Sequence, residues 1–251
     1  MAKLIVTLDE IRPLVGQARQ LIGGKALNLA KLKQAGFNVP NALIITTTAR
    51  GKMDNKLKKE ISEHLKSLKD SRFAVRSSAT VEDSEIASFA GQMESYLSTP
   101  APAIFTTVEK CWQSLRSERV RLYCQQRQVN FLTIKMAVII QEMIFAEKGG
   151  VIFTENIFQH HQDELMMEAA QGLGEKVVSG LVNPERIIVK KTSKQIVSRH
   201  LINGPILTDK EVTQLVEIAL KIEALYRQPQ DIEWAIMKNK IYLLQSRPIT
   251  K

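Results

Sequence analysis

The stretch that most restricts this chain lies near its end, Asp231-Ile-Glu-Trp-Ala-Ile-Met-Lys-Asn-Lys-Ile-Tyr-Leu-Leu-Gln-Ser-Arg-Pro248. It reads as two strands joined by a tight polar turn. Ile232, Trp234 and Ile236 alternate with Asp231, Glu233 and Ala235, and the apolar run Ile241 to Leu244 leads into Gln245-Ser-Arg-Pro248. With a three-residue loop, Lys238 to Lys240, and Asn239 in the left-handed region that Asn tolerates, Glu233 falls opposite Gln245 and Asp231 opposite Arg247. Side chains repeat with period two along a strand, so all four would share one face. That face would offer carboxylate and amide oxygens to a hard cation and a guanidinium to a phosphate. An ordinary edge hairpin with a surface ion pair would show the same pattern, so the rest of the chain has to decide.

At 251 residues the chain can bury a substantial core in one large domain or two lobes. A hydrophobic content of 44% and a charged content of 24% are those of a globular protein. No apolar run reaches membrane-span length and Met1-Ala-Lys-Leu-Ile5 lacks a signal-peptide core, so the expected location is cytoplasmic, with no membrane partner. Cys111 and Cys124 are the only cysteines, placed here on one expected helix, Ala103 to Gln128. About 20 Å of helix rise would separate them, too far for a disulfide, which fits a reducing compartment. The formal charge of +9 invites a nucleic-acid reading, but only 6% of residues are aromatic and no nucleic-acid motif accompanies the charge. Part of the excess sits in the lysine-rich run Lys52 to Lys69, read as a solvated helix face, and nucleic acid is not an expected partner.

Along the chain, Gly23-Gly24-Lys25 opens an amphipathic run, Ala26 to Gln34, closed by Gly36. Such a turn can set amide groups and an ammonium against phosphate, although it is not a Walker motif and a flexible turn with a surface lysine would look alike. Ala42 to Thr48 and Phe73 to Val75 read as strands. Arg76 stands at the carboxyl end of the second, before Ser77, Ser78 and Thr80 and the run to Asp83, an arrangement suited to an anionic ligand. Met136 to Gln141 is a near-continuous apolar strand breaking into Glu142-Met143-Ile144. Val151 to Thr154, Leu165 to Ala169, Ile187 to Val189 and Gln195 to Ser198 follow as strands, and Thr208-Asp-Lys-Glu211 is a capping box opening a helix to Tyr226. Strands and helices mix without regular alternation, which indicates an α+β fold in two lobes.

At Gly23-Gly-Lys25, Arg76-Ser-Ser-Ala-Thr-Val-Glu-Asp83 and Gln245-Ser-Arg-Pro248 the chain resembles the ATP-binding domain of phosphoenolpyruvate synthase, pyruvate phosphate dikinase and rifampin phosphotransferase. The resemblance continues through Ser88-Phe-Ala-Gly-Gln92, Gly149 to Thr154, Glu168-Ala-Ala-Gln-Gly-Leu-Gly-Glu175, Val182-Asn-Pro184 and Asp231-Ile-Glu-Trp234, covering nearly the whole chain. It implies an ATP-grasp fold with an N-terminal lobe over residues 1–135, a C-terminal lobe over 136–251, and ATP held between them. Carried over by position, it implies that Lys25 and Arg76 hold the nucleotide phosphates, Glu233 and Gln245 hold Mg²⁺, and Arg247 acts on the transferred phosphoryl group. Gln141, Glu142, Met143 and Ile144 resemble the hinge whose backbone binds adenine.

The chain departs from that pattern in two ways. The segment from Thr48 to Arg72 is short. The sequence ends three residues after Pro248, and His64, His160, His161 and His200 sit in none of the family's phosphohistidine context. The expectation is an ATP-dependent phosphotransferase component whose acceptor histidine lies on a separate domain or subunit. A kinase phosphorylating a small molecule directly and an ATP-sensing module without turnover are the alternatives.

Overall fold

The computed structural model describes residues 3–11, 17–66, 68, 71–82, 89, 93–159, 161–202 and 204–249. The Ser88–Gln92 motif (Phe89 excepted), Asp83 and His160 lie outside the described residues. The chain divides into two compact units, Met1–Gly36 with Pro40–Met143, and Phe37–Val39 with Ile144–Lys251.

The first unit contains β1 (Ile5–Thr7), α1 (Ala18–Gln34), β2 (Ala42–Ile45), α2 (Asn55–Leu65), β3 (Arg72–Ala79), β4 (Ser95–Pro100), α3 (Ile104–Ser114), α4 (Glu118–Gln126) and β5 (Met136–Glu142). Its sheet is antiparallel throughout, in the order β1-β2-β5-β3-β4. β5 is the central strand, buried on both faces, which is why its sequence reads as an unbroken apolar run and why the compact division falls after Met143. Val75, Val138 and Ile140 pack with Val108, Cys111 and Trp112 of α3 on one face. Arg76 and Ser78, one residue out of step, point to the face covered by α1, where the Ala26 N–H donates to Ser78 Oγ.

The expected single helix Ala103–Gln128 is two. It breaks after Ser114, and Ser117 restarts it by accepting the Val120 N–H on its hydroxyl. Cys111 and Cys124 therefore belong to different helices; both are buried and free. Burial pushes the Cys111 thiol up to about 12. The helix expected from Ala26 begins earlier, at Ala18, and kinks at Gly23.

The second unit contains β6 (Lys148–Phe153), β7 (Glu164–Gln171), the short α5 (Glu175–Val178), β8 (Glu185–Lys190), β9 (Ile196–His200), α6 (Asp209–Tyr226), β10 (Gln230–Met237) and β11 (Lys240–Pro248). These strands form a second antiparallel sheet, β11-β10-β6-β7-β8-β9. The Thr208–Glu211 capping box is present and opens α6. Val212, Leu215, Val216, Ala219 and Ile222 of α6 are buried, with the helix against β10. Gly150 is fixed by its neighbours: a Cβ there would lie 1.9 Å from the Glu168 carbonyl oxygen and 3.0 Å from the Trp234 ring. Asn38 lies beside β11, donating to the Ile241 carbonyl and accepting from the Leu243 N–H.

The terminal hairpin corrects one expectation. Its turn has two residues, Lys238 and Asn239, both left-handed with φ of 50° and 59°, the geometry whose twist matches the flanking strands. That turn alone would set Glu233 and Gln245 on opposite faces. A bulge restores the register: Trp234 pairs with Leu243, yet Glu233 pairs with Gln245 and Asp231 with Arg247, so Leu244 is the extra residue. The expected pairing is reached, and the expected three-residue loop is not how it is reached.

Candidate functional site

In the first unit a tight knot forms around Gly23-Gly24-Lys25. Gly23 adopts φ 75°, and a Cβ there would stand 2.1 Å from the Ser78 carbonyl oxygen. Only glycine fits that backbone contact. Ser78 Oγ donates to the Ile22 carbonyl (2.8 Å) and accepts the Ala26 N–H (3.1 Å), pinning both sides of the kink. Lys25 Nζ reaches Glu82 Oε1 at 2.6 Å, with both side chains largely buried. Glu82 Oε2 accepts the Ala79 N–H at 2.9 Å, and its backbone carbonyl accepts from Arg19 at 2.6 Å. The lysine expected to meet phosphate is thus held in a buried ion pair, with Glu82 as the anchor. Arg76 is 9% exposed and shares the α1 side of the sheet with Ser78.

At the end of β5 the expected hinge is partly committed elsewhere. The Glu142 N–H donates to the Asn41 carbonyl and the Met143 N–H to the Arg72 carbonyl. Ile144 follows in the second unit, where its carbonyl accepts the Ala146 N–H. Gln141 is 1% exposed, and its side-chain Nε2 has no hydrogen-bond partner. Among the described residues neither that amide nor the Ile144 N–H has a hydrogen-bond partner.

In the second unit the register assembles a polar face. Glu233 pairs with Gln245 on one side and Val151 on the other; Val151 pairs with Glu168, Glu168 with Arg186, and Arg186 with His200. Cross-strand partners share a face, so Gln245, Glu233, Glu168, Arg186 and His200 lie in one row. Asp231 and Arg247 form the neighbouring pair on that face, two residues along each strand.

The Arg247 guanidinium donates through Nε (2.8 Å) and Nη2 (2.7 Å) to Asp231 Oδ2. Asp231 Oδ1 is buried and has no hydrogen-bond partner. Burial pushes the Asp231 carboxyl above its ordinary range; Arg247 pulls it part of the way back, and Glu233 adds to the rise. Farther along the row Arg186 donates through Nε and Nη2 to Glu168 Oε1 at 2.9 and 2.7 Å, and its guanidinium lies 4.5 Å from the centre of the Phe158 ring.

The donors fit a magnesium ion. Glu233 and Gln245 offer a carboxylate and an amide oxygen, and Asp231, two residues along on the same face, has one oxygen without a partner. Among the described residues no cluster of three or more His, Cys, Asp or Glu forms a complete cage. Magnesium is usually held by one or two protein carboxylates, with water and phosphate completing its shell.

Sequence reasoning assigned no role to Glu82, Glu168 or Arg186. Glu82 stood inside the Arg76–Asp83 run and Glu168 opened a motif, yet neither partner could be chosen from spacing alone.

The two antiparallel sheets and the helices packed on them define the fold class, α+β. Residues 49–206 and 202–251 match the family described as pyruvate phosphate dikinase, AMP/ATP-binding domain, and the chain belongs to that family.

Curated relatives agree. The chain is 33% identical to a probable phosphoenolpyruvate synthase of Methanocaldococcus jannaschii, over 99% of this chain and 27% of that protein. It is 31% identical to the rifampicin phosphotransferase of Bacillus subtilis, over 100% of this chain and 36% of the relative. It is 33% identical to the phosphoenolpyruvate synthase of Pyrococcus furiosus, over 96% and 34%. The chain thus spans about a third or less of each relative's length. Among solved structures, D-alanine–D-alanine ligase of Helicobacter pylori is similar over 91% of this chain and 54% of its own, at 12% identity and a TM-score of 0.47, too remote to bear on function. Among the described residues no helix is long and apolar enough to cross a membrane.

Proposed function

We propose that this chain binds Mg-ATP and supplies the nucleotide-handling part of a phosphoryl transfer whose acceptor is a histidine on a separate domain or subunit. The observation that carries the reading is the hairpin register, which sets Asp231, Glu233, Gln245 and Arg247 on one face of a rigid sheet. Phosphoryl transfer needs positioning and neutralisation of charge more than covalent help from the protein. In this reading Lys25 and Arg76 take phosphate charge, Glu233 and Gln245 hold the metal, and Asp231 aims Arg247 at the transferred group. When bound, Mg²⁺ would neutralise phosphate oxygens. At the expected adenine site the Ile144 N–H and the Gln141 amide are the donors proposed to read the base; the Glu142 and Met143 N–H groups are already used.

The placement of the described histidines supports an acceptor in trans. His200 lies on the same sheet face as Glu233 but four strand spacings away, about 19 Å. In-line transfer requires reacting atoms about 3–3.5 Å apart, so His200 cannot receive phosphate from that point in place. His161 is held near Glu164 at 3.7 Å, in a bridge with Asn156, and His64 is on α2.

The test is incubation of the purified chain with ATP labelled at the β- or γ-phosphate. Alone it should gain no stable acid-labile label. With a histidine-bearing partner domain the label should appear on the partner and vanish in Arg247→Ala, while ATP still binds. Stoichiometric label on this chain alone, lost with one of its own histidines, would refute the reading. Rapid phosphorylation of a small molecule without a partner would replace it with a direct kinase.

A further inference from the structure

The first unit has a cavity of about 670 Å³ that no part of the proposed function uses. It lies on the α3 side of the sheet: its wall includes Trp112 and Met136, which pack with Val75 and Val138, whereas Arg76 and Ser78 are on the α1 side. Arg50, Arg116 and Lys135 line it, against a single acid, Glu109. Among the described residues none of these four side chains makes an ion pair or a hydrogen bond. Three unpaired cations around one cavity are therefore a concentration of positive potential.

The backbone at the rim is unusual as well. Arg50 is left-handed, φ 53° and ψ 30°, and Gly51 follows at φ 68°, so the chain bends back over the Trp112 ring. A non-glycine residue in that conformation costs on the order of 1 kcal/mol, and such strain gathers at binding sites. Trp112 is 8% exposed and its indole N–H has no partner, an unmet donor in the same wall. The volume falls within the range of small-molecule sites, roughly 300–1,000 Å³.

We infer that this cavity is a second binding site, for a small polyanion carrying two or three phosphate or carboxylate groups, held by Arg50, Arg116 and Lys135. Planar guanidinium groups pair bidentately with either kind of anion. The inference is independent of the nucleotide reading, because no residue is common to the two sites.

The test is calorimetry of the full chain without Mg²⁺, titrated with citrate as the carboxylate probe and pyrophosphate as the phosphate probe. Variants are Arg50→Ser, Arg116→Gln, Lys135→Gln and the triple change; all are surface substitutions, with the native fold checked by circular dichroism. Repeating the pyrophosphate titration in Arg247→Ala separates this cavity from the proposed phosphoryl site. At least one probe should bind, with affinity falling roughly 1.4- to fivefold for each cation removed, the range for exposed charges. Binding should persist in Arg247→Ala and weaken with added salt. The tighter probe identifies the anion class. No binding of either probe up to about 10 mM, or binding that the triple variant leaves unchanged, would overturn the inference. Neither result would alter Mg-ATP binding, which reports on the nucleotide reading separately.

Discussion

Lys25–Glu82 in the first unit and Arg247–Asp231 in the second are both cation–carboxylate pairs with short contacts, 2.6 and 2.7 Å. They are built for different ends. Glu82 is satisfied inside the protein: one oxygen meets Lys25, the other the Ala79 N–H, and the backbone carbonyl meets Arg19. Asp231 spends one oxygen on Arg247 and leaves the other without a partner, with Glu233 raising its pKa further. The first pair is a structural clamp that fixes the lysine. The second is incompletely satisfied and held in place by a sheet, and in the proposed function a ligand supplies the missing partner. Unmet polar groups in a folded interior mark function more often than stability.

The largest expected effect is on the clamp. Glu82→Ala leaves Lys25 buried without its partner and should cost about 3–5 kcal/mol of stability, measured by urea unfolding. Lys25→Ala should cost a similar amount, and the double variant much less than the sum of the two. Additive losses would show that the two side chains do not act as a pair. Loss of nucleotide affinity in Lys25→Ala alone is therefore ambiguous, and the double variant is its proper control.

Asp231→Asn should behave in the opposite way. Burial makes Asp231 hold its proton more tightly in the folded chain than an unperturbed aspartate does. Its stabilising contribution is therefore full below the unfolded pKa and is lost as pH rises through the higher folded value. The neutral Asn escapes that loss, so relative to the parent chain the variant should gain stability from acid toward neutral pH and lose none at pH 7. Thermal melts across that range check the sign, while transfer activity should fall because Arg247 loses its guide. A variant that is strongly destabilised at pH 7 would make Asp231 another structural clamp and remove the contrast.

These two regions also differ in how far the sequence discloses them. Alternation of Ile232, Trp234 and Ile236 with polar residues makes the hairpin readable, and period two places its four polar groups together. The route was missed because nothing in Lys238-Asn239-Lys240 says whether the odd residue sits in the turn or in a bulge at Leu244. The capping box at Thr208 is legible because both of its partners are local. The break between α3 and α4 is not, since Ser117 caps only after the chain has stopped at Ser114, and the apolar spacing runs across the gap. Glu82 was invisible as a partner: the Lys25 contact spans 57 residues, and charge alone cannot choose among distant carboxylates. Gly23 was marked as a turn, but the 2.1 Å reason it must be glycine comes from Ser78.

The smallest effect tests the turn itself. Lys238 is left-handed at φ 50°, a conformation that Asn tolerates better than Lys. Lys238→Asn should stabilise the chain by roughly 0.5–1 kcal/mol. A three-residue loop with only Asn239 left-handed predicts no gain there, so the urea midpoint separates the two hairpins.

The central claim is that the hairpin face holds the metal of a bound nucleotide. Calorimetric titration of ATP with and without Mg²⁺, in the parent chain, Glu233→Gln and Gln245→Leu, tests it most directly. The parent should bind ATP more tightly with Mg²⁺ than without. Both variants should lose that advantage, roughly 1.5–3 kcal/mol as for other charged contacts, while keeping their affinity for metal-free ATP and their melting temperature. An unchanged Mg²⁺ dependence in both variants would contradict the account.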